Sequence, residues 1–391
     1  MKFLEVFTAE AKLIFKDVAV VLTIIGGVIL YAFLYPQPYV AQSVSALSVS
    51  FVDLDKSKVS RDLAFSINAT PQIEISRYDM SEKDAKEALI EGKIKALIVI
   101  PPHFSRDLSL HLSPVVALGA DSSYFLIYGA VLEGAMKAVL TQSASIKVGE
   151  LLVGGTPMST AINAFSPYSL KTINLFNRDN SYTQYVIPAV YIIILQQTLL
   201  IGLGILGGGI NERLRCAKKG HYASAPIWMM MSSRYIIFGF IFFVHMLFYF
   251  GFSFSFFNIT HLANISELLS FGFAFISATI FCGIFLGALF SAREVATPAV
   301  LFSSLPLVFS VGFIWPLEAI PNFIKNLSLI SPSTPAIQGF LKLNQMGAEW
   351  SATLPQFTLL WLQALIYAIL GYYYINKNRK TYVRNQKCNN S

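Results

Sequence analysis

Residues 185–211 read YVIPAVYIIILQQTLLIGLGILGGGIN, a stretch that contains no charged side chain. A helix needs about 20 mostly apolar residues to cross the hydrocarbon core of a bilayer. The stretch exceeds that length, so we predict that it forms a membrane-spanning helix. The whole chain agrees, since 54% of its 391 residues are hydrophobic and only 13% are charged. That charged fraction is about half of what a soluble domain carries.

Five further segments are similarly apolar, and His245 is the only ionisable side chain inside them. The six predicted spans are 18–35, 185–209, 235–257, 268–290, 296–315 and 354–375. The first of them follows three lysines, as the apolar core of a signal peptide does. Because no convincing small-residue cleavage site precedes Pro36, we interpret it as an uncleaved first helix.

The distribution of Lys and Arg predicts the orientation of these spans. If the N-terminus lies inside, the inner segments are 1–17, 210–234, 291–295 and 376–391. They carry 14 basic against five acidic residues, the bias that cytoplasmic loops show. We expect both termini in the cytoplasm of a multi-pass protein of the cytoplasmic membrane. The net charge of +7 is therefore a membrane-topology signal, and we expect no nucleic acid as a partner.

Residues 36–184 separate the first two spans and alternate between strand and helix patterns. Strands are predicted near 44–54, 73–75, 96–100 and 115–118, and helices near 57–68, 81–92 and 124–152. Residues 163–179 are polar and read as a linker to the second span. Alternating elements are typical of an α/β domain. The predicted fold is thus an α-helical integral membrane protein with six transmembrane helices plus an inserted α/β extracytoplasmic domain.

No motif of enzymatic chemistry is visible. The chain has no G-x-x-x-x-G-K-[ST] phosphate loop, no H-E-x-x-H and no C-x-x-C, and its five histidines are scattered. Asp53 and Asp55 are interpreted as a solvated turn rather than as cation ligands. Its cysteines, Cys216, Cys282 and Cys388, lie outside the insert, so no disulfide framework is expected there. We predict no catalytic residue, no metal site and no cofactor.

Two features inside the spans have competing interpretations. His245 is an intramembrane ionisable residue, which by default suggests a functional polar site. A packed, hydrogen-bonded histidine between helices is the more ordinary interpretation, and we favour it. Small residues recur four apart at Gly204 and Gly208, and again at Gly283 and Gly287. This spacing indicates close helix packing rather than a substrate path.

The inner segment 211–234 combines charge with an apolar stretch. Glu212, Arg213 and Arg215 come first, then a break at Gly220, and then a Met-rich stretch that contains Trp228. The segment could act only as a positive-inside anchor with an interfacial helix. Alternatively, it could form a separate helix against which a cytoplasmic partner pushes, with its apolar side chains seated in a groove of that partner.

Short motifs along most of the chain resemble one family. Lys16-Asp17 precedes the first span, and VDLDKSKVSRDL stands at 52–63. The closest match is EALIEGKIKALIVIPPHFSRDL at 87–108. Further matches are YVIP at 185–188, Glu212-Arg213, FIWP at 313–316, EAIP at 318–321 and Ser331-Pro332. In this order the motifs are similar to those of permease subunits of type-2 ABC exporters, in the branch with a large extracytoplasmic domain after the first helix.

The resemblance implies a subunit that is not itself an enzyme. Two permeases would pair in the membrane, surrounded by lipids, with separate ATPase subunits bound below them. Residues 1–17 would form an interfacial helix, and 376–391 a cytoplasmic basic tail. The segment after Glu212 would be the coupling helix, although Leu214 to Lys219 depart from the family pattern. The re-entrant stretch 316–340 would line the outer gate, for which Pro316, Glu318 and Pro321 are the candidate residues.

One alternative of another class remains at this point. The chain could be a membrane-anchored receptor or docking protein, with an extracytoplasmic sensing domain and no transport role. A transporter subunit should co-purify with an ATP-binding-cassette ATPase, whereas a receptor need not. The substrate cannot be deduced from the sequence.

Overall fold

The computed structural model describes residues 2–39, 45–122, 125–165, 176, 181–216 and 220–389. The chain is mostly helical and divides into two compact units. One unit consists of residues 1–42 and 174–391, and the other of residues 43–173. The predicted linker at 163–179 falls largely outside the described residues.

The first unit contains the apolar helices. An N-terminal helix, Phe3–Lys16, precedes them. In the described part of the chain, five helices are long and apolar enough to cross a membrane. These candidate spans, numbered first to fifth in the rest of the text, are Val18–Tyr39, Val186–Arg215, Ile227–Phe256, Ile265–Leu289 and Trp350–Thr381.

The predicted span 296–315 is not among these five. Its residues form a helix, Ala296–Ser310, of 15 residues with Pro306 inside it. Proline removes one backbone donor from a helix, and Gly312 follows with a φ of +100°. Three short helices come next, Leu317–Ala319, Asn322–Ser328 and Ser333–Phe340. The absence of charge therefore extends further along the chain than the helix does.

The second span is the most enclosed of the five candidate spans, with 94% of its most apolar 18 residues buried. Its glycines allow neighbouring backbones to approach. A Cβ at Gly207 would lie 2.5 Å from the Cα of Gly287 in the fourth span. A Cβ at Gly204 would lie 2.9 Å from the Cβ of Ala296. The small residues thus serve helix packing, as predicted.

Polar side chains also join the spans. Tyr191 and Tyr249 stack at 4.2 Å between ring centroids. Their hydroxyls donate to backbone carbonyls of the first span, Tyr191 to Ala32 at 3.0 Å and Tyr249 to Val28 at 2.7 Å. Such hydrogen bonds between helices stabilise bundles in which lipid supplies no hydrophobic drive.

The second unit is built on a four-stranded mixed sheet. Its strands are β1 Leu47–Asp53, β2 Ile73–Asp79, β3 Ala96–Ile100 and β4 Ala117–Ala120, in the order β2-β1-β3-β4. The first three are parallel, and β4 is antiparallel to β3. The accompanying helices are Lys58–Asn68, Glu82–Ile90, Phe104–Ser109, Phe125–Val153 and Met158–Phe165. Four strands were expected and found, although β2 runs four residues beyond Ile75.

Candidate coupling site

A buried carboxylate organises one end of the bundle. Glu10 lies on the N-terminal helix, on the same face as Val6 and Ile14, and all three are fully buried. Its Oε2 accepts from the Nε of Arg234 at 2.9 Å, and its Oε1 lies 2.9 Å from the Nε2 of His221. Arg234 is itself 4% exposed. We call Glu10, His221 and Arg234 the inner cluster.

The inner cluster holds Glu10 in its charged form. Burial alone would raise the pKa of this carboxyl group. The charge of Arg234 and hydrogen bonds from His221 and Arg234 outweigh burial and lower the pKa of Glu10 to about 2. Removing one partner from such a pair would leave an uncompensated charge in a dry environment.

A second arginine connects the inner cluster to the last helix, Leu354–Asn389, which contains most of the fifth span. The Nη1 of Arg379 donates to the carbonyl of Ala225 at 2.6 Å. Ala225 lies between the short helix His221–Ser224 and the third span, which begins at Ile227. Four chain segments are thus joined here: the N-terminal helix, the short helix, the third span and the last helix.

The separate helix in the inner segment is short. Glu212, Arg213 and Arg215 belong to the last turn of the long helix Tyr182–Arg215. Only His221–Ser224 forms a separate helix, because Pro226 already precedes the first turn of the next one. Residues 217–219 lie outside the described part. The inner segment is therefore mostly an extension of two spans, with a separate helix of four residues between them, and its role in coupling stays a prediction.

The family profile described as "ABC-2 family transporter protein" matches residues 18–373. This match covers nearly the whole chain, and it includes His221 and Arg234 of the inner cluster. Glu10 and Arg379 lie outside the matched range. The chain belongs to the ABC-2 transporter family. It is accordingly a multi-pass membrane protein, the permease of an ABC transport system, and it associates with ABC ATPase subunits. No relative is found among curated proteins.

The predicted coupling residues of this ABC-2 permease are on its surface. Glu212 and Arg215 are exposed and Arg213 is half-buried. Trp228 is 56% exposed, at the start of the third span, where it borders a shallow hollow with Ile369 and Tyr372. None of the four belongs to the inner cluster. They form the outer layer of the same end of the bundle, above the buried inner cluster, which we had not predicted.

A sequence signal for Glu10 existed. Val6, Glu10 and Ile14 are four residues apart, so the carboxylate occupies a position of the apolar stripe of the N-terminal helix. A charged residue in such a stripe requires a partner of opposite charge. Arg234 is a comparable signal, because it follows an uncharged Met-rich stretch. Nothing in the sequence alone identifies His221 as the third member.

His245 of the permease is packed but only partly as expected. It is 8% exposed, and its ring meets Phe242 edge to face at 5.4 Å. Within the described residues, its Nδ1 has no hydrogen-bond partner. The packing agrees with the packed interpretation, and a functional role of His245 stays a prediction. Among the described residues there is also no cluster of three or more metal-ligating side chains.

The candidate gate residues lie on short exposed connections. Pro316, Glu318 and Pro321 are all exposed. Pro316 and Pro321 directly precede the helices Leu317–Ala319 and Asn322–Ser328, and Glu318 lies within the first of them. The following residues are anchored in the bundle, since the Oε1 of Gln196 accepts from the backbone N–H of Ser333 at 2.6 Å. A role of the three residues in gating stays a prediction.

Proposed function

We propose that this permease is half of an exporter, in which two permeases pair and two ATPase subunits bind at the end that carries the inner cluster. The Lys and Arg bias of the connecting segments supports a cytoplasmic location for that end and for both termini. Residues 43–173 would then lie outside the cytoplasmic membrane. Membership of the transporter family does not favour the receptor alternative.

The inner cluster is the observation that carries the coupling proposal. Glu10 ties the N-terminal helix to both the short helix and the third span through contacts of 2.9 Å. A displacement of the short helix by a bound ATPase would therefore move the N-terminal helix and the third span with it. The exposed layer that would meet the ATPase consists of Glu212, Arg213, Arg215 and Trp228.

Charge reversal of the exposed layer tests the docking. We expect the double variant Arg213→Glu, Arg215→Glu to insert normally but to retain at most about a tenth of the ATPase subunits on co-purification. The matched control is Lys377→Glu, Lys380→Glu, which reverses two exposed charges on the last helix. Normal insertion with unchanged ATPase retention and unchanged transport in the first variant would refute the coupling role.

The helix Ala296–Ser310 supports the pairing proposal. It buries Ala296, Val300 and Ser304 on one face. Its other side exposes large apolar groups, namely Leu301, Phe302, Leu305 and Phe309. A pair related by two-fold symmetry brings the same face of both subunits together. We place this face at the interface between the two permeases.

Cysteine cross-linking tests this interface. In a background without Cys216, Cys282 and Cys388, Phe302→Cys should give disulfide-linked dimers in membranes. Phe240→Cys is the control, because Phe240 is similarly exposed but lies on the third span. Equal cross-linking at both positions, or at neither, would exclude the Ala296–Ser310 face as the dimer interface.

A further inference from the structure

A cavity of about 690 Å³ lies beside the start of the first span. Five segments line it: the N-terminal helix, the start of the first span, the end of the second span, the short helix, and the segment at Arg293. The charged side chains of its lining are mostly basic: Lys12, Lys16, Arg213 and Arg293, with Asp17 as the acidic exception. Basic side chains from distant parts of the sequence thus surround this one cavity.

Asp17 does not neutralise the other basic side chains of the cavity, because its carboxylate already pairs with Arg293. Its Oδ1 accepts from the Nη2 of Arg293 at 3.0 Å and from the backbone N–H of Ala19 at 3.2 Å. It therefore caps the first span and pairs with one arginine. Lys12, Lys16 and Arg213 form no ion pair with any residue that the structure describes. Three positive charges remain available to a ligand.

The hollow borders an apolar surface on its membrane side. Val18 and Ala19 belong to its lining, and Val18 is 78% exposed. Leu22, one turn further along the first span, is 67% exposed, and Phe15 is 53% exposed. A ligand that fits both parts has an anionic group next to a hydrocarbon chain. A phospholipid has this combination, and the hollow lies where a span enters the membrane.

We propose that this cavity binds the headgroup phosphate of an anionic glycerophospholipid, whose acyl chains lie against Val18 and Leu22. Lys12 and Lys16 are one helical turn apart and approach the phosphate from one side. Arg213 approaches it from the second span. Basic pockets between spans at the membrane surface are suited to such headgroups. The proposal requires only that the first span lies in a bilayer, and not that the transport direction or the pairing is as proposed above.

Lipid retention on the purified permease, without its ATPase, tests the site. The protein is exchanged into nanodiscs of phosphatidylcholine with 10% phosphatidylglycerol, extracted, and analysed by native mass spectrometry for bound phosphatidylglycerol. The variant is Lys12→Gln, Lys16→Gln. The control is Lys377→Gln, Lys380→Gln, which also removes two exposed positive charges from one helix. Thermal unfolding of all three proteins verifies that they are folded.

We expect roughly thirtyfold weaker phosphatidylglycerol binding in the Lys12, Lys16 variant and no change in the control. An equal loss in both variants would overturn the proposal in favour of general surface attraction. Displacement of the lipid by millimolar glycerol 3-phosphate or inorganic phosphate would overturn it in favour of a soluble anion. Loss of the lipid when the ATPase subunits are added would assign the cavity to the partner protein.

Discussion

At the scale of single residues, Glu10 is the charged group that joins separate segments at this end of the bundle. It is the fully buried acid of the inner cluster, and it neutralises an almost fully buried arginine. The ordinary reason for a charge on an amphipathic helix is solubility, but this one points inward. Its conservative replacement therefore gives information about stability and about coupling at once.

We expect Glu10→Gln to destabilise the protein by about 3 kcal/mol, because Arg234 keeps its charge and loses its counterion. The measurement is the apparent unfolding temperature in detergent. Glu5→Gln, an exposed change on the same helix, is the control and should leave that temperature unaltered. If Glu10→Gln and Glu5→Gln have the same unfolding temperature, the ion pair of Glu10 and Arg234 contributes nothing to the stability of the folded permease.

The same carboxyl group predicts a pH dependence. Its pKa falls from an ordinary value of 4.5 to about 2 in the folded chain, so its stabilisation is complete above pH 4.5. That stabilisation is lost as the pH drops toward 2. The difference in unfolding temperature between wild type and Glu10→Gln should therefore be large at pH 6 and shrink steadily between pH 4.5 and pH 2. A constant difference in unfolding temperature between pH 6 and pH 2 would contradict the lowered pKa of Glu10.

At the scale of helices, the second and fourth spans meet backbone to backbone at Gly207 and Gly287. We expect Gly207→Val to destabilise the bundle by about 1–3 kcal/mol, since the new side chain meets the backbone of Gly287. Gly209→Ala is the control on the same helix, because its Cβ would find its nearest neighbour 3.9 Å away. The yield of folded protein and its unfolding temperature report the effect, and equal behaviour of the two variants would contradict the contact.

The helices also show which parts of the fold can be predicted from the sequence. Length and lack of charge located five spans, and alternating patterns located the strands of the second unit, because these signals are local. The helix Ala296–Ser310 was overestimated, since Pro306 and Gly312 limit a helix in a way that hydrophobicity does not register. The inner cluster was missed because it joins residues more than 200 positions apart.

At the scale of the whole molecule, topology is the first property to establish. Reporter fusions near residue 120 and at the C-terminus should report opposite sides of the membrane, since the inner segments hold the surplus of Lys and Arg. A fusion at the N-terminus is the control and should agree with the C-terminal one. The same compartment for all three fusions would overturn the proposed orientation, including the placement of residues 43–173.

The glycine contact of the second and fourth spans also limits where cargo can travel. Two backbones that touch at Gly207 and Gly287 leave no width for a solute between these helices at that level. A translocation route must therefore bypass this pair of helices. The proposed pairing of two permeases adds one further boundary along which such a route can run, the one between the two subunits.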